Sequence, residues 1–187
     1  MVAGEQGSQE GELIERVAAG DRNAFAQLVE PLAPRLFQTA YRLLGSRHDA
    51  EDAVQNALAS AWLARARLDP ARPALPMLTT ITLNKCRDQL RRRKAMRLFG
   101  FAADDAAGAI PDDAPSPATQ VNDQAELERT HRAIRQLPVR LQEALTLVTL
   151  DGHSQKEAAQ LLGVSEKAIE TRVYRARNRL KERFEKL

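Results

Sequence analysis

The chain has 187 residues, room for one domain of ordinary size or two small ones. Its 28 basic and 25 acidic residues leave a net charge of only +3, so any attraction to a polyanion must come from local clusters of Arg. The single cysteine, Cys86, excludes an intramolecular disulfide, and no stretch approaches the ~20 apolar residues of a membrane span. Abundant Ala, Leu, Arg and Glu with few β-branched runs predicts an all-α fold.

The acidic, Gly-rich start, MVAGEQGSQEGE, lacks an apolar core and reads as neither a signal peptide nor a membrane anchor; residues 1–9 are expected to be disordered. Leu13, Ile14 and Val17 then mark a short amphipathic helix that stops at Gly20. Asp21 is positioned to cap a second helix, with Phe25, Leu28, Val29 and Leu32 on one face before Pro31 and Pro34 break it. Leu36, Phe37, Ala40, Tyr41, Leu43 and Leu44 carry the apolar stripe on to Gly45. These aromatics follow the helical period without interleaved basic residues and read as core, not as a base-stacking platform.

From Asp49, taken as the cap, a long helix should run through DAEDAVQNALASAWLARARL, with Ala50, Ala53, Val54, Ala57, Leu58, Ala61 and Trp62 inward. Its other face gathers Asp49, Glu51, Asp52 and Gln55 near the helix N-terminus, where the macrodipole favours carboxylates. Three readings compete there: a metal site with His48, a solvated helix start, and a docking face for a basic protein. One His and carboxylates on consecutive residues do not converge on a single ion.

Asp69 to Pro76, with three prolines in eight residues, reads as a stiffened loop. The helix after it buries Leu78, Ile81, Leu83, Cys86 and Leu90 and can turn Thr80, Asn84, Arg87, Asp88 and Arg91 outward. The run Arg91, Arg92, Arg93, Lys94 and Arg97 extends a basic surface beside Asn84, whose amide can read a base edge, so nucleic-acid contact is favoured over a merely solvated helix end. Cys86 lies on the apolar side and reads as a small core residue.

Between Phe99 and Glu128 there is no Lys or Arg, and the stretch is acidic and rich in Ala and Pro: a flexible linker. A second small domain begins near Gln124, with a helix to Leu137 and Pro138, then Leu141, Ala144, Leu145, Leu147, Val148 and Leu150, and a turn at Asp151-Gly152.

The last segment, Ser154 to Lys181, has the grammar of a helix-turn-helix. Ser154 and Glu157 form a reciprocal capping pair for a helix from Gln155 to Leu162, Gly163 ends it, and Ser165 caps the next. Ala159 is small enough for a close crossing, with Leu162, Ile169 and Val173 filling the angle. The second helix carries Arg172, Arg175, Arg177, Arg179, Lys181 and Arg183 against Glu170, Glu182 and Glu185, an excess suited to a phosphate-lined major groove. An ordinary helical hairpin with a solvated face is the plainer alternative. There is no Gly-rich phosphate loop, and His48, His131 and His153 lack partners at metal-ligand or triad spacing, so no enzyme, cofactor or metal is expected.

Five stretches in order, APRLFQTAYRLLG, DAEDAVQNA followed by Trp62, LTTITLNKCRDQLRRR, LPVRLQEALTL and DGHSQKEAAQLLGVSEKAIETRVYRARNRL, resemble the extracytoplasmic-function sigma factors of the sigma-70 family. The resemblance implies a disordered 1–9, a sigma domain 2 helical bundle over 10–96, an acidic linker over 97–125 and a sigma domain 4 over 126–187. It also implies a cytoplasmic specificity subunit that binds RNA polymerase core and recognises the −35 and −10 promoter elements, often in a stress response. Asp49, Glu51, Asp52 and Gln55 would dock on the β′ clamp helices, and the second domain on the β flap. Asn84 would capture a flipped −10 base, with Arg87, Arg91, Arg92 and Arg93 on the strand backbone. Lys167, Glu170, Thr171, Tyr174 and Arg175 would read the −35 element, with Lys156, Arg172 and Arg177 near phosphates. An anti-sigma factor would hold the chain inactive. Met77 stands where the family usually has Trp, and His153 where it has an apolar residue. A conventional helix-turn-helix regulator acting without polymerase, and a helical adaptor indifferent to DNA, are the other functional classes.

Overall fold

The computed structural model describes residues 2–98 and 118–185, and among these every regular element is helical. In chain order they are α1 (Val2–Ala18), α2 (Arg22–Val29), α3 (Ala33–Leu44), α4 (Arg47–Leu63), one 3₁₀ turn (Arg65–Arg67), α5 (Ala74–Leu98), α6 (Ala118–Arg135), α7 (Val139–Leu145), a π-turn (Thr146–Leu150), α8 (Gln155–Leu162) and α9 (Glu166–Phe184).

Local chemistry sets most boundaries. Asp21 accepts hydrogen bonds from the Asn23 and Ala24 backbone N–H groups and starts α2; that Ala24 bond and the Arg16 guanidinium hold its carboxyl below the usual range. Gly45 (φ 69°) and Gly163 (φ 65°) end α3 and α8 in the left-handed region, which costs a residue with a Cβ about 1–2 kcal/mol. At α8 the capping box is complete: Ser154 Oγ accepts from the Glu157 N–H, and Glu157 accepts from the Ser154 N–H at 2.8 Å. The Ser154 hydroxyl and N–H in turn keep the Glu157 carboxyl below its ordinary value.

Some boundaries differ from the sequence reading. The cap of α4 is Ser46, not Asp49, because Ser46 Oγ accepts from the Asp49 N–H at 3.3 Å; this places Asp49 inside the first turn with its carboxylate free for another partner. The stiff loop is shorter than Asp69 to Pro76. α5 already begins at Ala74, since Pro76 in a first turn gives up no intrahelical hydrogen bond, and Glu10 of α1 accepts from the Ala74 N–H at 2.9 Å. α1 starts within the 1–9 stretch expected to be disordered, and α6 starts within the expected 97–125 linker, whose central part, 99–117, lies outside the described residues.

Helices α1 to α5 form a bundle around Ile14, Val17, Leu36, Leu43, Leu78 and Leu83, all essentially buried. Trp62 packs at its edge with its ring centroid 5.4 Å from that of Phe25. Helices α6 to α9 close over Leu145, Leu147, Ile169 and Val173, and one continuous buried cluster runs through both groups. Leu161 shares the angle between α8 and α9 and is more buried than its neighbour Leu162.

Two measurements follow. Gly163→Ala should lower stability by about 1–2 kcal/mol in chemical denaturation; no described residue lies within 4 Å of the added Cβ, so the effect reports the left-handed backbone. Burial pushes the Cys86 thiol up to about 12. Native protein at pH 8 should therefore leave a thiol-specific disulfide reagent unreacted until denaturant is added. Stability should also fall as pH rises from about 9 towards 12, where the unfolded thiol ionises and the folded one does not.

Candidate nucleic-acid interface

α9 separates its residues by face. Ile169, Val173 and Ala176 form the buried stripe, and Lys167, Glu170, Thr171, Tyr174 and Arg175 recur at i, i+3, i+4, i+7 and i+8 on another face. Of these, only Thr171 is half-buried, and Tyr174 is 65% exposed. The face is internally ordered by a Lys167–Glu170 ion pair at 2.8 Å and by the Thr171 hydroxyl donating to the Lys167 carbonyl. Arg177 and Lys156 of α8 are exposed beside it, and Arg172 is half-buried. This is the arrangement of a helix offered to a groove: its apolar side is consumed by α7 and α8, and its polar side lacks a protein cover among the described residues.

On α5, Asn84 and Arg91 are exposed on one row, and Arg92 is exposed nearby. Arg87, expected to face outward, is instead drawn across to α7. Its Nε donates to Glu143 Oε1 at 2.5 Å and its Nη2 to Glu143 Oε2 at 3.2 Å, a bidentate fork, while Nη1 donates to Asn84 Oδ1 at 2.7 Å. The Glu143 side chain is only 3% exposed. Removing one partner of such a buried pair costs about 3–5 kcal/mol, because the other is left uncompensated; an exposed pair like Lys167–Glu170 contributes about 0–1 kcal/mol. Arg93 is likewise committed: it pairs with Asp49 and donates to the Leu44 carbonyl at 3.0 Å.

The acidic face of α4 is thus divided. Asp49 turns to Arg93, whereas Glu51 pairs with the exposed Arg47 at 2.9 Å and Asp52 stands 3.6 Å from the exposed His48. Glu51, Asp52 and Gln55 remain at the surface. No group of three or more potential metal ligands occurs among the described residues, and no described helix is long and apolar enough to cross a membrane.

A set of polar residues that the sequence reading did not single out joins the two helical groups. Asp151, just beyond the π-turn, accepts from Thr39 Oγ1 at 2.7 Å and pairs with Arg42; its side chain is 8% exposed. Gln142 donates to the Leu43 carbonyl at 2.9 Å. The Arg135 side chain lies over Gly45, so close that a Cβ there would collide with it. The one signal in the sequence was Gln142-Glu143 set within the apolar run of α7, where polar side chains need buried partners. Met77 is half-buried against the core, and His153 lines a cleft of about 280 Å³ with Arg42 and Asp151.

Comparison with known proteins gives this geometry its family. Residues 28–96 match the family model described as Sigma-70 region 2, and residues 127–180 match Sigma-70, region 4. The chain is 38% identical over 173 residues to the RNA polymerase sigma factor CnrH of Cupriavidus metallidurans, covering 90% of each chain. It is 31% identical over 172 residues to the ECF RNA polymerase sigma factor SigM of Mycobacterium tuberculosis, covering 91% of this chain and 82% of that one. Among solved structures, CnrH in complex with the cytosolic domain of CnrY superposes with a TM-score of 0.68 at 32% identity, covering 95% of this chain and 97% of that one. RpoE in complex with the anti-sigma factor NepR, from Bartonella quintana, superposes with a TM-score of 0.67 at 28% identity, covering 84% and 94%. With a region 2 bundle, a region 4 helix-turn-helix and relatives of this closeness along nearly its whole length, the chain belongs to the sigma-70 family, as an RNA polymerase sigma factor of the extracytoplasmic-function group.

Proposed function

We propose that this sigma factor directs promoter-specific initiation by a division of labour among three surfaces. Glu51, Asp52 and Gln55, with Asp49 once it leaves Arg93, dock on the β′ clamp helices of RNA polymerase core. Asn84 holds an unstacked base of the −10 element while Arg87, Arg91, Arg92 and Arg93 follow the strand backbone. Lys167, Glu170, Thr171, Tyr174 and Arg175 read the −35 element in the major groove, Lys156, Arg172 and Arg177 contact phosphates, and the second domain rests on the β flap. The observation that carries this reading is the exposed, basic outer face of α9, opposite the stripe it buries against α7 and α8. Such a helix alone binds DNA mainly through phosphates, with strong salt dependence. Joined to polymerase, each DNA-binding domain raises the effective concentration of its element for the other, and trapping an unstacked base offsets a few kcal/mol of opening cost. The work is cytoplasmic, where polymerase and chromosome are, and an anti-sigma factor is the regulator that the solved complex of RpoE with NepR suggests.

Run-off transcription with core polymerase and a promoter library tests the whole assignment. Directed initiation is expected, and Asp52→Arg should abolish it together with core binding while leaving the helical signal intact. Sequence-specific DNA binding that is indifferent to core polymerase would instead favour a conventional regulator. Within α9, Arg175→Ala should lose about 1–3 kcal/mol and relax the −35 preference, whereas Arg177→Ala should weaken all sequences alike and flatten the salt dependence. Identical, sequence-independent losses from both would remove the base-reading role of Arg175.

A further inference from the structure

Gly11 lies within α1, although glycine is the poorest helix former after proline. A Cβ at this position would stand 3.0 Å from the Pro70 carbonyl oxygen, tighter than Cβ atoms ordinarily pack. The missing side chain is what lets the loop between the 3₁₀ turn and α5 lie against α1. The neighbouring residue makes a second contact: Glu10 Oε1 accepts from the N–H of Ala74, the first residue of α5, at 2.9 Å. The residue before Ala74 is Pro73, which has neither a side-chain acceptor nor an N–H. The first free donor of α5 is therefore satisfied from 64 residues away, by a carboxylate placed at the positive end of the helix dipole.

These contacts hold a segment with few other anchors. Leu68 and Ala74 are buried at its two ends, and residues 69–73 between them are all exposed. Within it Asp69 accepts twice, through Oδ1 from the Ala71 N–H at 3.0 Å and through its carbonyl from the Arg72 N–H at 3.0 Å, while Pro70 and Pro73 stiffen the backbone. The loop is thus rigid in itself, and α1 sets how it sits. Just beyond it Pro76, Thr80 and Asn84 follow at i, i+4 and i+8, one row along α5 that is exposed at Pro76 and at Asn84. Pro76 and Asn84 are about 12 Å apart at 1.5 Å per residue, a span of roughly three to four nucleotides at 3.4 Å each. One short stretch of strand can meet both the loop and Asn84.

We propose that Glu10 and Gly11 are positioning residues for −10 recognition: they fix the 69–73 loop and the start of α5, and through these the strand that Asn84 holds. This role rests on the −10 reading proposed above. Both residues act from behind the loop, one through the Ala74 N–H and the other through the Pro70 carbonyl.

The test is run-off transcription by the full chain with core polymerase on two promoter libraries, one randomised at −10 and the other at −35. Glu10→Ala should flatten the −10 preference by about two- to ten-fold, the weight of one net hydrogen bond, and leave the −35 preference and core affinity as they were. Glu10→Gln, whose amide oxygen accepts the same bond, should restore the −10 preference, and Gly11→Ala should disturb it as Glu10→Ala does. Glu12→Ala, which removes an exposed charge two residues further on, should change neither profile. Should Glu10→Ala lower the helical signal, Gly11→Ala carries the test, because alanine favours the helix. Losses spread equally over both libraries, an unchanged −10 profile in the Glu10→Ala and Gly11→Ala variants, or a Glu10→Gln variant as defective as Glu10→Ala overturns the positioning role and leaves the sigma-factor mechanism standing. A wild-type chain that shows no −10 preference removes both.

Discussion

The structure depends on how the end of α3 is satisfied. A helix leaves its last carbonyls without intrahelical partners, and a buried carbonyl must find a donor. α3 ends at Gly45 just after the buried Leu43 and Leu44, and the donors come from distant parts of the chain: Gln142 to the Leu43 carbonyl and Arg93 to the Leu44 carbonyl. Arg42 and Arg135 add positive charge where the helix dipole is negative. One helix terminus thus gathers residues from α5, α6 and α7, and in doing so fixes where the second domain sits on the first.

Function and closure draw on the same side chains. Arg87 and Arg93 are the residues proposed above to follow a DNA backbone, yet in this structure they pair with Glu143 and Asp49. A guanidinium is suited to such exchange: its planar fork takes a carboxylate or a phosphate with the same bidentate geometry. The α9 face needs no such release, because its apolar stripe is consumed within its own domain and its basic side is already exposed. The two proposed DNA-binding surfaces therefore differ in readiness, one open and one occupied.

Much of this was legible from residues in order. Ser154 with Glu157, Gly163, and Ser165 ahead of Ile169 and Val173 specify the helix-turn-helix through capping and periodicity, and the structure reproduces each of these features. Asp21 and Gly45 mark their boundaries for the same local reason. The errors were also local in origin. Asp49 and Ser46 are both good caps, and sequence alone does not choose between them; Ala74 to Pro76 looks non-helical until Glu10 supplies a partner from α1.

What the sequence determined by itself is everything that acts within a few residues: the caps, the buried stripes, the basic outer face of α9 and the all-helical class, since these follow from backbone hydrogen bonding and the 3.6-residue period. Only the tertiary structure decided the partners of the charged side chains. Arg87 and Glu143 are 56 residues apart in sequence, and Thr39 and Asp151 are 112 apart. No periodicity links such pairs. Burial does, because a carboxylate removed from water must be paired, and which cation pairs with it depends on how the helices pack.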